Sequence, residues 1–585
     1  MQHTASYKHN YPRPQLVREG WTNLDGKWDF AFDFNKTGES KGYTNGFKAQ
    51  KQITVPYAYQ VPASGIGDTA LCEQVWYQNK IELSPEKGKR IMLRLEGCDY
   101  RTRVWINGKF CGEDTGGYHR LSFDLTDGAK KGKNTLVICV NDDYSTAKPR
   151  GKQRWKDKDF GCWYIDTTGI YKTAWLETVS ELHIEKIAYD TDIRSKTVTV
   201  KTVVNGAETA VSPKLKLTVK YGGKTVGTAE TAVGGENVSA AVSLGGDVML
   251  WNVGDAKLYD TELELYDGDT LADSVKSYFG MREITIDGGR ILLNGKPLYQ
   301  KLVLDQGYWP EGGLTPPNVE AFEDDIKLML SMGFNGCRKH EKIEDERFLY
   351  YADIYGYITW CEMPSMYEAL NDESKAVFKR EWLITVSELG SHPCILCWVP
   401  FNESWGIEHI CTDKSVQDFV NDTYYATKAV DSTRPVITND GWEHTVSDIL
   451  TIHHYTQSGD IMHACFDEVQ KCCAKKYAEH DRGAFSDGYE YKGQPIMITE
   501  FGGTAFVKDA VDAKWGYGDG VKNTDEFISR FGSLIDAIDR IPFMNGYCYT
   551  QLSDVYHEVN GLTDFARNPK ASADVIRSIL TKRGR

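Results

Sequence analysis

Residues 397–406 read CWVPFNESWG and residues 495–503 read PIMITEFGG. Each is an apolar, β-rich run that reaches a glutamate, Glu403 in the first and Glu500 in the second, with an aromatic residue and glycine close behind. Either stretch alone reads as a buried strand, with Ile395, Leu396, Trp398, Val399 and Phe401 inside and Asn402-Glu403-Ser404 as the polar turn that ends it. Two strand ends so far apart in the chain meet only if a fold gathers them at one place.

The flanking sequence supplies such a fold. Strand-like runs alternate with helix-period runs: LYQKLVLD (298–305) with NVEAFEDDIKLMLSMG (318–333), FNGCRKH (334–340) with DERFLYYADIYG (345–356), YITWCEMP (357–364) with ESKAVFKREWLITVSELG (373–390), and CILCWVPFN (394–402) with DKSVQDFVNDTYYATKAVD (413–431). RPVITND (434–440), ILTIHHY (449–455), PIMITEFGG, the helix TDEFISRFGSLIDAIDR (524–540) and FMNGYCYTQLSD (543–554) complete eight strand candidates. This alternation predicts a (β/α)8 TIM barrel over 282–585. All strand C-termini of a barrel open onto one face, so Glu403, ending the fourth strand, and Glu500, ending the seventh, are expected to face one another there.

The rest of the chain is β-sheet. KWDFAFDF, RIMLRLEG, TRVWINGKFCG, NTLVICVND and IYKTAWLE are short alternating strands broken by Gly, Asn and Asp, and Asn107-Gly108 is a hairpin turn signal. They predict a jelly-roll β-sandwich over 1–180. TVTVKTVVNG, KLKLTVKYGG and KLYDTELELYDG predict an immunoglobulin-like sandwich over 181–281.

Composition narrows the function. A chain of 585 residues exceeds a single core. With 68 basic against 83 acidic residues the net charge is −15, which argues against nucleic acid as a partner. Aromatic residues make up 12% of the chain, and their flat faces stack on sugar rings as well as in cores. The opening MQHTASYKHNYPRPQ has no apolar segment of signal-peptide length, and no run of about 18 apolar residues spans a membrane. The 14 cysteines are scattered, with only Cys472 and Cys473 adjacent and no pair whose setting suggests zinc, as reduced cytoplasmic thiols are. A cytoplasmic protein is the expectation, and a processed secreted chain would look the same.

Two facing carboxylates can hydrolyse a glycosidic bond, with retention at a separation of about 5–5.5 Å and inversion at about 6.5–9.5 Å. Trp398, Phe401 and Trp405 beside Glu403 are expected to raise its carboxyl pKa, as a general acid requires. His453 and His454 are adjacent on a strand, so at most one reaches a pocket, and no metal site is expected.

WVPFNESWG and ITEFGG resemble the acid/base and nucleophile motifs of glycoside hydrolase family 2, the retaining β-galactosidases, β-glucuronidases and β-mannosidases. LVLDQGYWPEGG (302–313), GFNGCRKHE (333–341), ITWCEMPS (358–365) and QLSDVYHEVNGL (551–562) fall where that family's barrel has them, and RGKQRW (150–155) and CWYIDTTGIYKTAWLE (162–177) resemble its sugar-binding jelly roll. The resemblance implies Glu403 as acid/base, Glu500 as nucleophile, Asn402 as the amide binding the hydroxyl beside the anomeric carbon, and Tyr455 as a hydrogen-bond donor to the nucleophile. Arg338 is read as a brace for the carboxylates and His340 as a sugar contact, although Lys339 stands where the family usually has Ser. Asp305 is a candidate sugar contact or a loop acid; Glu362 and Trp442 are further strand-end candidates, and core packing explains Trp442 equally well.

The family's glucuronidases carry an Asn-x-Lys element near the eighth strand, where this chain has Glu558-Val559-Asn560-Gly561 and no lysine in register. That disfavours an acid sugar. DQGYWP and EVNGL look most like the β-galactosidase-labelled branch. β-Glucosides, β-xylosides, α-L-arabinopyranosides, β-glucuronides and a non-catalytic carbohydrate-binding role are the alternatives. The resemblance also implies a homo-oligomer and, in some relatives, structural magnesium or sodium, for which no ligand pattern appears here.

Overall fold

A computed structural model describes residues 4, 10–368, 370–477, 480–506 and 514–584. Most of the opening stretch read above for a signal, 1–3 and 5–9, lies outside them. The amino-terminal sandwich packs a six-stranded sheet on a four-stranded one around an apolar core that includes Trp28, Phe30, Tyr77, Leu93 and Ile138. Arg101–Ile106 and Lys109–Thr115 pair as the hairpin turned by Asn107 and Gly108, both left-handed at φ 51° and 81°. The second sandwich packs a three-stranded sheet against a four-stranded one. Strand Asn237–Ser243 shows why its sequence alternates: Val238, Ala240 and Val242 face inward and their neighbours face solvent.

The barrel follows. Ile395–Val399, Ile358–Glu362, Gly336–Lys339, Gln300–Asp305, Met544–Tyr549, Ile496–Glu500 and Leu450–His453 lie side by side in that order, all parallel. The fifth strand is shorter than the run RPVITND suggests. Its two-residue strand Asn439–Asp440 pairs with Phe401–Asn402, and upstream a single parallel bridge joins Val436 to Trp398 of the main sheet, with Trp398 N donating to Pro435 O at 3.1 Å and Ile437 N to Trp398 O at 3.0 Å. Pro435 has no N–H, and the N–H of Val436 goes to Asp448 Oδ2 at 2.8 Å, so neither donates to a ladder. Two helices, Gly459–Phe466 and Val469–Cys472, follow the sixth strand where the sequence shows no long helical period.

The three units are bonded to one another. Arg18 links Glu177 of the first sandwich at 3.2 Å to Asp273 of the second at 3.0 Å. Trp251 Nε1 and Tyr278 Oη of the second sandwich each donate at 2.8 Å to Asp353 of the barrel. A jelly-roll loop reaches the strand-end face, where the amides of Arg150 and Gly151 donate to Ser365 O at 2.9 and 3.0 Å.

Candidate active site

Arg338 holds the strand ends together. Its guanidinium is fully buried and meets Glu362 Oε2 at 2.5 Å, Asp440 Oδ2 at 2.9 Å, Glu500 Oε1 at 2.7 Å and Asn402 Oδ1 at 2.6 Å. One cation thus gathers side chains from the second, third, fourth, fifth and seventh strands. A charge with this many acceptors keeps its proton under burial.

Glu500 ends its strand as expected. Arg338 takes one oxygen, and Tyr455 Oη donates to Oε2 at 2.5 Å. Burial works to raise its pKa, but His453 and Arg338 overcome it and hold the carboxyl down to about 2, ionised in the working pH range. Tyr517 stacks on Tyr455 with ring centroids 3.4 Å apart and planes 6° off parallel, which fixes the phenol.

Glu403 stands one residue past the strand. It and Ser404 are both left-handed, at φ 50° and 61°, a turn that side chains resist. Neighbouring groups pin it: Glu403 N donates to Asp440 O at 3.0 Å and Ser404 N to Asn439 Oδ1 at 2.9 Å. The turn swings the carboxylate onto His453, whose Nδ1 lies 2.8 Å from Oε1. This corrects the expected apolar surroundings. Trp398 donates its indole N–H to Asp431, Phe401 stacks on Phe378 at 4.6 Å, and Trp405 packs edge-to-face on Trp163 and Tyr367. The polar side chain that meets Glu403 is therefore a histidine.

The histidine pair divides as strand geometry requires. His453 enters the site, and His454 packs against Phe466 with centroids 5.0 Å apart. His340 Nδ1 is 2.9 Å from Glu362 Oε1 and 4.0 Å from Glu500. Burial, with Lys152 and Arg338 adding to it, pushes His340 down to about 3, so it works neutral. Burial lifts Glu362 to about 7 despite the pull of Arg338. Trp442 lies edge-on to His453 at 5.6 Å and packs on His480 at 4.7 Å.

Asp305 is placed differently from an open sugar contact. Its carboxylate is buried, bonded to Lys339 Nζ at 2.5 Å and to the amide of Gly307 at 2.8 Å. The lysine that departs from the family pattern is its partner, and Glu344 completes the cluster at 2.8 Å from the same ammonium.

Several residues escaped the sequence reading. Asp440 is a strand-end acid like Glu403 and Glu500, and that rule would have found it. Tyr517 follows no strand, and nothing in its surroundings marks it. Lys152, Glu341 and Glu558 meet only in three dimensions. Lys152 Nζ, from the jelly-roll loop, lies 3.9 Å from Glu341 Oε1 and 3.5 Å from Cys162 Sγ. Tyr164 of the same loop donates to Glu558, which also accepts from Gln306 at 3.1 Å and Asn560 at 3.0 Å.

Oxygen and nitrogen atoms of Glu403, His453 and Glu500 lie within 4.8 Å of one another, and ligand-type atoms of Asp353, His392 and Cys394 are as close. The second trio sits in the contact with the immunoglobulin-like sandwich, where Asp353 accepts from Tyr278 and from the amide of Cys394.

Comparison with known proteins agrees with this architecture throughout. Residues 67–190 match the model described as glycosyl hydrolase 2 galactose-binding domain-like, residues 182–282 that of glycosyl hydrolases family 2, and residues 284–580 that of the family's TIM barrel domain. A β-glucuronidase of Paenibacillus borealis is 22% identical over 97% of this chain and 98% of its own. A β-galactosidase of Thermoanaerobacter pseudethanolicus is 26% identical over 56% of this chain, and the match spans 44% of that relative's length. The crystal structure of Ruminococcus gnavus β-glucuronidase superposes with a TM-score of 0.79 at 19% identity, covering 98% of this chain and 99% of that one, a likeness of fold. With the barrel, the second sandwich and the part of the first from residue 67 onward matched, the chain belongs to glycoside hydrolase family 2 and is a glycoside hydrolase.

Proposed function

We propose that the protein is an exo-acting, retaining β-glycosidase that removes terminal neutral sugars, β-D-galactosides foremost, with Glu500 as nucleophile and Glu403 as general acid/base. One observation carries the reading. Oxygens of Glu403 and Glu500 lie within 4.8 Å, nearer the separation of about 5–5.5 Å that suits a covalent intermediate than the about 6.5–9.5 Å that leaves room for an attacking water. In the first step Glu500 attacks the anomeric carbon, the bond to the leaving oxygen breaks, and Glu403 protonates that oxygen. In the second, Glu403 takes a proton from water, whose oxygen attacks the same carbon and releases Glu500.

The remaining roles follow from position. Asn402, its carbonyl oxygen taken by Arg338, has its amide N–H groups to offer the hydroxyl beside the anomeric carbon, where hydrogen bonds tighten as charge develops. His340 and Trp442 border the sugar, and Glu362 keeps Arg338 and His340 in place. Both ring nitrogens of His453 face carboxylates, so the trio with Glu403 and Glu500 suits proton placement, and the reaction as written calls for no cofactor.

A neutral sugar is favoured by charge. Glu558 stands in the element where the family's glucuronidases have their lysine, and together with Glu341 it outnumbers Lys152. A sugar carboxylate would meet net repulsion. A β-glucuronide is the second reading, favoured by the relatives named β-glucuronidase and by Lys152, whose ammonium among the described residues has a sulfur at 3.5 Å and a carboxylate at 3.9 Å as near partners. Hydrolysis of nitrophenyl β-galactoside, glucoside, xyloside, mannoside, glucuronide and α-L-arabinopyranoside, with Glu500→Ala as the blank, decides between them. Turnover of the galactoside that vanishes in the blank supports the first reading, and turnover of the glucuronide alone supports the second.

A further inference from the structure

His453 touches both proposed catalytic carboxylates, and its own charge state sets what it does to them. Nδ1 is 2.8 Å from Glu403 Oε1 and 3.6 Å from Glu500 Oε2, while Nε2 is 3.3 Å from Asp440 Oδ2. The ring is buried, with Trp442 against it. The chain makes room for it: at Gly441, φ 108°, a Cβ would stand 2.7 Å from Nδ1 and 2.8 Å from Cγ. A neutral imidazole presents one lone pair, and here each ring nitrogen faces carboxylate oxygens, so a lone pair has nowhere favourable to point.

We propose, on the roles given to Glu403 and Glu500 above, that His453 is a positioning residue that stays an imidazolium through turnover. It donates from Nδ1 to Glu403 Oε1, so that the transferable proton sits on Glu403 Oε2, and its charge keeps Glu500 ionised. The surrounding groups support this. Burial would drive the proton off, but Glu500 and Asp440, with Glu403, push His453 up to about 10. Arg338 is bound to two of the three neighbouring carboxylates, Asp440 and Glu500, and so does not compete for Glu403. His444 and His480, the other rings alongside, are held below the usual histidine value by burial and add no charge at neutral pH.

The sign of the effect is fixed. A positive charge beside a carboxyl lowers its pKa, so losing the imidazolium raises the pKa of Glu500. The acid limb of the kcat/KM profile reports Glu500 and moves to higher pH.

The test compares His453→Asn, which keeps a donor without the charge, with His453→Ala, which keeps neither. Profiles are measured on a nitrophenyl and an alkyl glycoside of the preferred sugar. Both variants should shift the acid limb to higher pH by at least about one unit. At its own optimum the Asn variant should retain about tenfold more kcat than the Ala variant, a difference of one lost hydrogen bond. The Ala loss should be larger on the alkyl leaving group, which needs the proton. An acid limb that stays in place while rates fall, or equal losses on both leaving groups, overturns the proposal. If His453→Ala does not fold, as its melting curve reports, the Asn profile alone decides. Trapping the wild type with a 2-deoxy-2-fluoro glycoside separates the two levels: a label on Glu500 with an unmoved acid limb sinks only the role of His453, and a label elsewhere sinks the catalytic assignment beneath it.

Discussion

Tyr455, two residues past the sixth strand, and Glu500, ending the seventh, are joined by a hydrogen bond from Oη to Oε2 at 2.5 Å, across the carboxylate from the 2.7 Å contact of Arg338 with Oε1. The donor favours the charged form of Glu500, so Tyr455→Phe should raise that group's pKa and move the acid limb of kcat/KM upward. A loss of about 10- to 100-fold in kcat is expected, in line with removal of one preorganised donor. A pH profile of the variant checks it, and an unchanged acid limb would remove Tyr455 from the support of the nucleophile.

Glu403→Ala should depend on the leaving group. Glycosides of acidic phenols depart without a proton, so their kcat should fall far less than that of alkyl glycosides. Azide, needing no base, should attack the anomeric carbon of the glycosyl ester and release Glu500, giving a β-glycosyl azide that product NMR identifies. An α-azide would mean that Glu403 and Glu500 have been given each other's geometry.

Asp305→Asn separates a sugar contact from a structural one. Asp305 is tied to Lys339 at 2.5 Å, and the substitution leaves that ammonium with Glu344 alone. Thermal stability should fall while KM stays within about twofold of the wild type, since stability and binding here involve different groups. A KM raised tenfold with an unchanged melting temperature would restore Asp305 as a sugar ligand.

Arg338→Met should be among the costliest single changes in the chain. It strips the counter-charge from Glu362, Asp440 and Glu500 at once, and breaking a buried ion pair of this kind costs about 3–5 kcal/mol. Soluble yield and melting temperature measure it. Full stability with lost activity would make Arg338 a catalytic group rather than a brace.

Acid should loosen the joint between the two sandwiches. Glu177 is buried, and although burial opposes it, Arg18 and Arg94 hold its pKa down to about 2. A depressed acid contributes stability above its unfolded value of about 4.5, and that share is lost as pH falls toward 2. Melting temperature of Glu177→Gln should be lower than wild type at pH 7 and should converge on it as pH falls to about 2. Parallel curves at all pH values would show that the Glu177 ion pairs carry none of the acid sensitivity.

Much of this molecule is legible in its sequence because the relevant signals are local. Period-two alternation in Asn237–Ser243 and strand–helix alternation after residue 288 each follow from which face of one element is buried. The strand-end glutamates are legible for the same reason: a polar residue closing an apolar run marks where a barrel strand meets its open face. Even the choice between His453 and His454 reduces to the opposite facing of adjacent strand residues. What the sequence could not state is who faces whom. Glu403 has three aromatic residues beside it in the chain and yet meets a histidine from another strand, because a left-handed turn re-aims it. Asp305 looks open at the end of its strand and is closed by Lys339. Lys152 and Tyr164 reach the strand-end face from a different domain. Secondary structure depends on neighbours in sequence. The charge state and partners of a buried side chain depend on neighbours in space, and only the tertiary fold chooses those.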